Sequence, residues 1–153
     1  MLTPAVLLDA LTQSCRADLP LGITLLKSGD PADSSVSPAW LEFWVDRLGS
    51  PVARRADTTQ RADLSMTVNC FGRPPATPEQ VQALAESARQ HLTRLRLPLK
   101  QDAIDVGLVT LLEAEMRDLS RPATPKSAGL YQWSVTVRGT LHLYSAFQRD
   151  QYR

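Results

Sequence analysis

The sequence predicts an α+β fold: a mainly antiparallel mixed sheet of about four to five strands, with two principal helices packed on one face. Two observations lead to this prediction. Several stretches alternate apolar and polar residues, as strands with one buried face do. Two other stretches repeat apolar residues at helical spacing, and each follows a Thr-Pro helix start. We expect a single domain over residues 1–153.

The stretch from Leu130 to Tyr144 gives the clearest strand prediction. Its inward side chains are predicted to be Tyr131, Trp133, Val135, Val137, Leu141 and Leu143. Gly139 is the one gap on this apolar face, which indicates a bulge, a bend or a close approach of another backbone. The strand would span roughly 45–50 Å at about 3.3 Å per residue, so we expect it to meet something beyond its own domain.

The first third of the chain predicts a helix, a short strand and a loop. Thr3-Pro4 opens the helix, and apolar residues at helical spacing continue it through about Arg16. The segment from Ile23 to Leu26 is predicted to be a short strand. Loop-forming residues predict an exposed connection from Lys27 to Pro38.

Two alternating segments, from Ala39 to Leu48 and from Ala62 to Phe71, predict an antiparallel hairpin. The connection between them, from Gly49 to Arg61, is long for a hairpin, and long hairpin loops are often functional. It contains most of a basic cluster formed by Arg54, Arg55 and Arg61. Three interpretations stay open for this cluster: solvated loop charge, ion pairing to acids of a neighbouring subunit, and contact with nucleic acid phosphates.

One face of the first hairpin strand combines two tryptophans with two acids. Its residues are Trp40, Glu42, Trp44 and Asp46. Two interpretations stay open. The indole rings cover a second layer of the same subunit, or a neighbouring subunit caps them, since interfaces are enriched in tryptophan.

The second helix is predicted to begin at Thr77 with a capping box completed by Gln80, and to be stopped by Pro98. A third strand is predicted from Ile104 to Leu119, with an interruption near Gly107 left open. Its inner half is apolar on both faces, so we expect it to be central in the sheet. A loop follows from Ser120 to Gly129, and the polar tail from about residue 145 is predicted to be loosely held.

Composition gives no global reason to expect nucleic acid or a membrane surface as a partner. The formal net charge is +1, and no window approaches the roughly 20 apolar residues of a membrane span. Asp9 interrupts the first apolar run, so we expect no signal peptide. Cys15 and Cys70 are predicted to be buried free thiols, with a disulfide left open.

A search for chemistry gives no catalytic, cofactor-binding or metal-ligating residue. The sequence lacks a glycine-rich phosphate loop and the spaced motifs of zinc sites and serine hydrolases. His91 and His142 would need further ligands to hold a metal, so we expect solvated or hydrogen-bonded surface roles for them. Glu113 and Glu115 could act as a carboxylate pair only in a cleft; the other interpretation is a solvent-facing strand end.

Four segments taken together resemble a known family. They are Ala39-Trp40-Leu41-Glu42-Phe43, the strand from Ala62 to Phe71, Thr77-Pro78-Glu79-Gln80 with Ala83-Leu84-Ala85, and Tyr131-Gln132-Trp133-Ser134-Val135-Thr136-Val137. Their order and spacing resemble the tail terminator (tail completion) proteins of long-tailed phages. The resemblance extends from about Leu2 to Leu143 and contains no diagnostic motif. The tryptophan-rich strand and the long loop after Lys27 depart from that pattern.

The resemblance implies a structural virion protein without cofactors. Such a protein forms a hexameric ring that caps the tail tube, ends its polymerisation and offers a surface to head-connector or neck proteins. DNA would pass through the lumen without sequence-specific binding, in the neck region of the virion, after assembly in the host cytoplasm. We expect the three arginines to line the lumen or an inter-subunit seam, and Trp40, Glu42, Trp44 and Asp46 to lie near a neighbouring subunit.

Three alternatives belong to other classes. The first is another neck or head–tail joining protein of a phage. The second is a small non-viral ligand-binding or enzymatic α+β domain with its site across the sheet. The third is a nucleic-acid-binding domain, which the near-neutral charge disfavours.

Overall fold

The computed structural model describes residues 4–20, 23–27, 38–49, 60–121 and 129–144, which form two helices and seven strands. The elements are α1 (Pro4–Asp18), β1 (Thr24–Lys27), β2 (Ala39–Leu48), β3 (Gln60–Gly72), α2 (Pro78–Leu92), β4 (Arg96–Gln101), β5 (Ile104–Leu111), β6 (Glu115–Asp118) and β7 (Tyr131–Leu143). None of the helices in these residues is long and apolar enough to span a membrane.

Several predicted features lie outside the described residues. They are the cap at Thr3, most of the loop from Lys27 to Pro38, the hairpin connection at 50–59 with Arg54 and Arg55, most of the loop from Ser120 to Gly129, and the tail from 145.

All seven strands of the described residues join one sheet in the order β1-β2-β3-β7-β5-β4, with β6 also paired to β7. The β1–β2 pair is parallel and the other pairs are antiparallel. The predicted α+β class, with two helices and a mainly antiparallel mixed sheet, is confirmed. The sheet has seven strands rather than the expected four or five.

One additional strand arises where the second helix was expected to continue. Helix α2 ends at Leu92 instead of being stopped by Pro98. Arg94 has a φ of 57°, a left-handed conformation that turns the chain out of the helix. Pro98 lies within β4, an edge strand, where proline's missing N–H group is tolerated.

The other additional strand comes from the division of the predicted strand from Ile104 to Leu119. The structure forms β5 and β6 there, separated by residues 112–114. Both strands pair with β7, and the Leu112 N–H group donates to the Arg138 carbonyl between them. Strand β5 lies between β7 and β4, so the prediction of an interior position is confirmed for that half.

Both helices pack against one face of the sheet and form a single apolar core with its inward residues. The fully buried large side chains include Leu7, Leu11, Leu41, Phe43, Met66, Val68, Val81, Leu92 and Val109. Helix α2 begins with the predicted capping box, in which Thr77 Oγ1 accepts from the Gln80 N–H group and Gln80 Oε1 accepts from the Thr77 N–H group. This reciprocal pair of bonds satisfies two N–H groups that the helix itself leaves without partners.

Both cysteines are buried free thiols, as predicted. Burial raises the pKa of Cys15 and of Cys70 to about 12. Because the thiolate is the reactive form, neither group should react with iodoacetamide at pH 8 in the folded protein. Mass spectrometry should show labelling of both cysteines only after denaturation. Labelling of either cysteine in the folded protein would contradict their burial.

Gly139 marks a close approach of two backbones. A Cβ atom at this position would lie 2.5 Å from the Thr110 carbonyl oxygen and 3.1 Å from the Leu111 Cα. The pairing of β7 with β3 continues through Gly139 opposite Leu64 without a register shift. Of the three structures that the sequence allowed, close approach is therefore the one that forms.

Replacing Gly139 by alanine should destabilise the protein by about 1–3 kcal/mol, because the new methyl group overlaps backbone atoms that cannot move aside independently. Urea denaturation followed by circular dichroism would measure the change. Gly49→Ala is the matched control, since a Cβ there meets its nearest atoms at 3.5 Å. Equal stabilities for the two variants would contradict the close approach.

Candidate subunit-contact face

The sheet face opposite the helices carries the candidate site. Because directly paired residues share a face, the register places alternate residues of β2, β3 and β7 on this side. One row across it is Trp44, Thr67, Thr136 and Glu115. We call this side the helix-free face, because neither helix of the described residues covers it.

Trp40 is held within its own chain at one end of this face. Its side chain is 6% exposed and stacks on Phe71, with ring centroids 5.3 Å apart and planes inclined by 22°. The Arg73 guanidinium lies 5.6 Å from the centre of the Trp40 ring, within the range of a cation–π attraction. For Trp40, the interpretation in which the ring covers a layer of its own subunit describes the geometry.

Trp44 projects from the same face but remains 42% exposed. Glu42 lies between the two rings: its Oε1 accepts from Trp40 Nε1 at 3.2 Å and its Oε2 accepts from Trp44 Nε1 at 3.4 Å. Asp46 accepts a hydrogen bond from the Thr67 hydroxyl. The N–H group of Trp44 is thus already bonded, which leaves the apolar surface of its ring for a partner.

A groove of about 590 Å³ opens on the helix-free face where β5 gives way to β6. It is lined by Ser65, Leu112, Glu113, Glu115, Thr136, Val137 and Arg138. We call it the break groove. The side chain of Leu112 is 60% exposed there, although leucine is normally buried. Sequence patterns missed the groove because the break between β5 and β6 produces it.

The break groove brings Glu113 and Glu115 together, but both residues are exposed. Glu113 also interacts electrostatically with Arg89 of α2. A catalytic carboxylate pair needs one member in a dry environment that favours its protonated form. The exposure of both residues agrees better with the solvent-facing interpretation.

Arg61 lies at the beginning of β3, opposite His142 of β7, and is exposed. It lies six positions before Thr67, the residue that pairs with Trp44. At about 3.3 Å per residue this is roughly 20 Å, so the structure does not bring Arg61 together with the tryptophans.

His91 connects the two helices at their C-terminal ends. The Ser14 hydroxyl lies 2.8 Å from its Nε2, and a carboxylate oxygen of Asp18 lies 2.5 Å from its Nδ1. Because a carboxylate only accepts, Nδ1 carries the proton of that bond. Of the two roles expected for His91, the hydrogen-bonded one is confirmed, but the side chain is only 10% exposed and is therefore not on the surface. The one-turn spacing of Ser14 and Asp18 was the available sequence signal, but nothing local links it to α2.

This Ser-His-Asp arrangement has the order of hydrogen bonds found in serine hydrolases, but its surroundings differ. Ser14 lies in the last turns of α1, where backbone N–H groups are used by the helix and the helix end carries partial negative charge. A developing oxyanion would be destabilised there rather than bound. We interpret the three residues as a tie between the helices.

His91 and His142 cannot share a metal ion, because α2 and the polar side of β7 lie on opposite faces of the sheet. Within the described ranges no group of three or more histidine, cysteine, aspartate and glutamate side chains is placed to hold a metal.

The comparisons with known proteins identify a shared fold. No family model matches the sequence, and no curated protein matches it. Among solved structures, a chain of the "Virion of native gene transfer agent (GTA) particle" matches with a TM-score of 0.56. The two chains share a fold. The match covers 92% of this chain and 99% of that chain at 17% sequence identity.

Replacing His91 by alanine should lower the free energy of unfolding by about 1–2 kcal/mol, because it removes two hydrogen bonds made by a mostly buried imidazole ring. Thermal unfolding would measure the loss. Asp18→Asn should cost less, because that side chain is 63% exposed. Gln82→Ala, at an exposed position of α2, controls for the helix propensity of alanine; an equal effect there would contradict the tie.

Proposed function

We propose that the protein is a structural component of a virion and acts as a tail terminator. In this role a hexameric ring of copies caps the tail tube, ends its polymerisation and presents a surface for head-connector attachment. The observation that carries the proposal is the fold shared with a chain of a gene transfer agent virion over almost the full length of both chains. The four segments that resemble tail terminator proteins independently point to a structural virion protein.

The geometry of the helix-free face gives further support. A ring needs two different surface patches on each copy that fit each other by rotation. This face offers an exposed tryptophan at one position and an open groove at another. Exposed aromatic and apolar side chains beside polar neighbours are typical of contact surfaces.

The arginine cluster fits a channel or seam role in this proposal. Arg61 is exposed at the beginning of β3, and Arg54 and Arg55 belong to the connection that precedes it in sequence. We assign the three residues to the lumen or an inter-subunit seam. Guanidinium groups there can contact DNA phosphates without reading bases, as passage of any sequence requires. The ring would act in the neck of the virion, after assembly in the host cytoplasm.

Replacing Arg54, Arg55 and Arg61 together by alanine should reduce ring formation or the joining of tails to heads. Light scattering would follow assembly, and electron microscopy would show rings on tube ends. Arg16, Lys100 and Arg121 are exposed on other elements, so their triple alanine variant removes the same charge as a control.

Unchanged assembly and tail joining in the arginine variant would reject the assigned role of the cluster. A separate assay tests termination: the unmodified protein, added to its cognate tube protein, should limit tube length. Tubes that lengthen equally with and without it would reject the terminator role.

A further inference from the structure

We propose that Trp44 of one copy inserts into the break groove of the next copy, between Leu112 and Arg138. This contact rests on the proposed ring, since it joins two copies of the chain. It specifies the surface of the next copy that receives Trp44, which neither the fold comparison nor the sequence pattern does.

Trp44 and the groove residue Leu112 are both exposed to solvent. The large apolar side chains exposed among the described residues are Trp44, Leu112 and Leu119, at 42%, 60% and 38%. Trp44 and Leu112 both lie on or beside the helix-free face. A tryptophan can bury roughly 150–250 Å² on contact, and tryptophan is among the residues that most often dominate interface energies.

The break groove has the size and the side chains to hold an indole ring. Its volume of about 590 Å³ leaves room for an indole ring. The exposed Leu112 side chain supplies apolar contact, and Arg138 supplies a cation for the ring face. No ion pair to another described residue engages Arg138. The chain already uses this combination once, where Arg73 lies over Trp40.

Charged side chains lie both beside Trp44 and in the break groove. Glu42 and Asp46 flank Trp44 along β2, and both could approach Arg138 of the next copy. Arg47 follows Asp46 and is paired opposite Ser65, so it shares the helix-free face and can approach the groove glutamates of the next copy. Each patch therefore carries charges of both signs that the other can oppose.

Trp44 and the break groove occupy different positions on the helix-free face of one copy. Within one copy, Trp44 lies beside β3, which contributes Ser65 to the edge of the groove. The groove residue Thr136 lies one strand further away, roughly 10 Å from Trp44 across two strand spacings. The bond from Trp44 Nε1 to Glu42 also holds the indole toward its own strand. The groove is thus not lined by the tryptophan of its own copy, and two unlike patches are left for a contact that rotation can repeat.

The test compares Trp44→Ala and Leu112→Ser with Leu119→Ser in the full chain. Leu119 is an exposed leucine outside the groove lining, so its variant controls for loss of surface apolarity. Sedimentation over a range of concentrations should show that the first two variants raise the dissociation constant between copies on the order of 30-fold, as loss of a dominant contact does. Leu119→Ser should change it less than about 3-fold.

A charge exchange provides the second measurement. Asp46→Arg and Arg138→Glu should each weaken self-association, and the double variant should restore it to within about 5-fold of the native chain, since opposite charges again face each other. Circular dichroism on every variant separates loss of contact from loss of folding.

The outcomes separate this contact from the proposed function. Native-like rings in Trp44→Ala would overturn the contact and leave the ring intact. If Leu112→Ser forms rings but no longer binds tail tubes, the groove holds the tube protein, and the contact between copies is overturned. A native chain that never self-associates, with or without tubes, would overturn both.

Discussion

The two-sided pairing of β7 is the constraint on which the rest of the structure depends. On one side β7 pairs with β3 along all 13 of its residues. On the other side it pairs with β5 near its end and with β6 near its beginning. Without β7, the β1–β2–β3 unit and the β4–β5 unit would share no strand. Gly139 lies where the pairing of β7 changes from β6 to β5, and it allows the close approach of β5, because a side chain there would meet the Thr110 carbonyl.

This strand also fixes the chemistry of the two faces. Its alternation sends Val135, Val137 and Leu141 into the core under the helices. The same alternation must send every second residue of β7 and its partners to the helix-free face. A sheet of seven strands that carries both described helices on one side therefore leaves a wide surface to be solvated, covered by its own side chains or covered by a partner. Trp40 is covered by Phe71 and Arg73, whereas Trp44 is not buried.

The features that could be predicted from the sequence are those whose cause is local. The capping box at Thr77 is written in four consecutive residues, and the alternation of β7 in thirteen. The left-handed turn at Arg94 and the break after Leu111 have no comparable signal, because non-glycine residues adopt them under tertiary constraint. These two events convert an expected helix extension into β4 and an expected single strand into β5 and β6.

The same distinction applies to the candidate sites and bears on what the molecule does. The pairing of tryptophans with acids on β2 is visible in the sequence, but the break groove draws its lining from β3, β7, β6 and the connection between β5 and β6. The link of Ser14, His91 and Asp18 likewise joins distant segments. Both tertiary clusters contain groups used in catalysis, yet the glutamates are exposed and the serine lies at a negative helix end. Neither environment stabilises a reacting charge, which agrees with the proposed contact of the exposed tryptophan and the open groove with another protein surface.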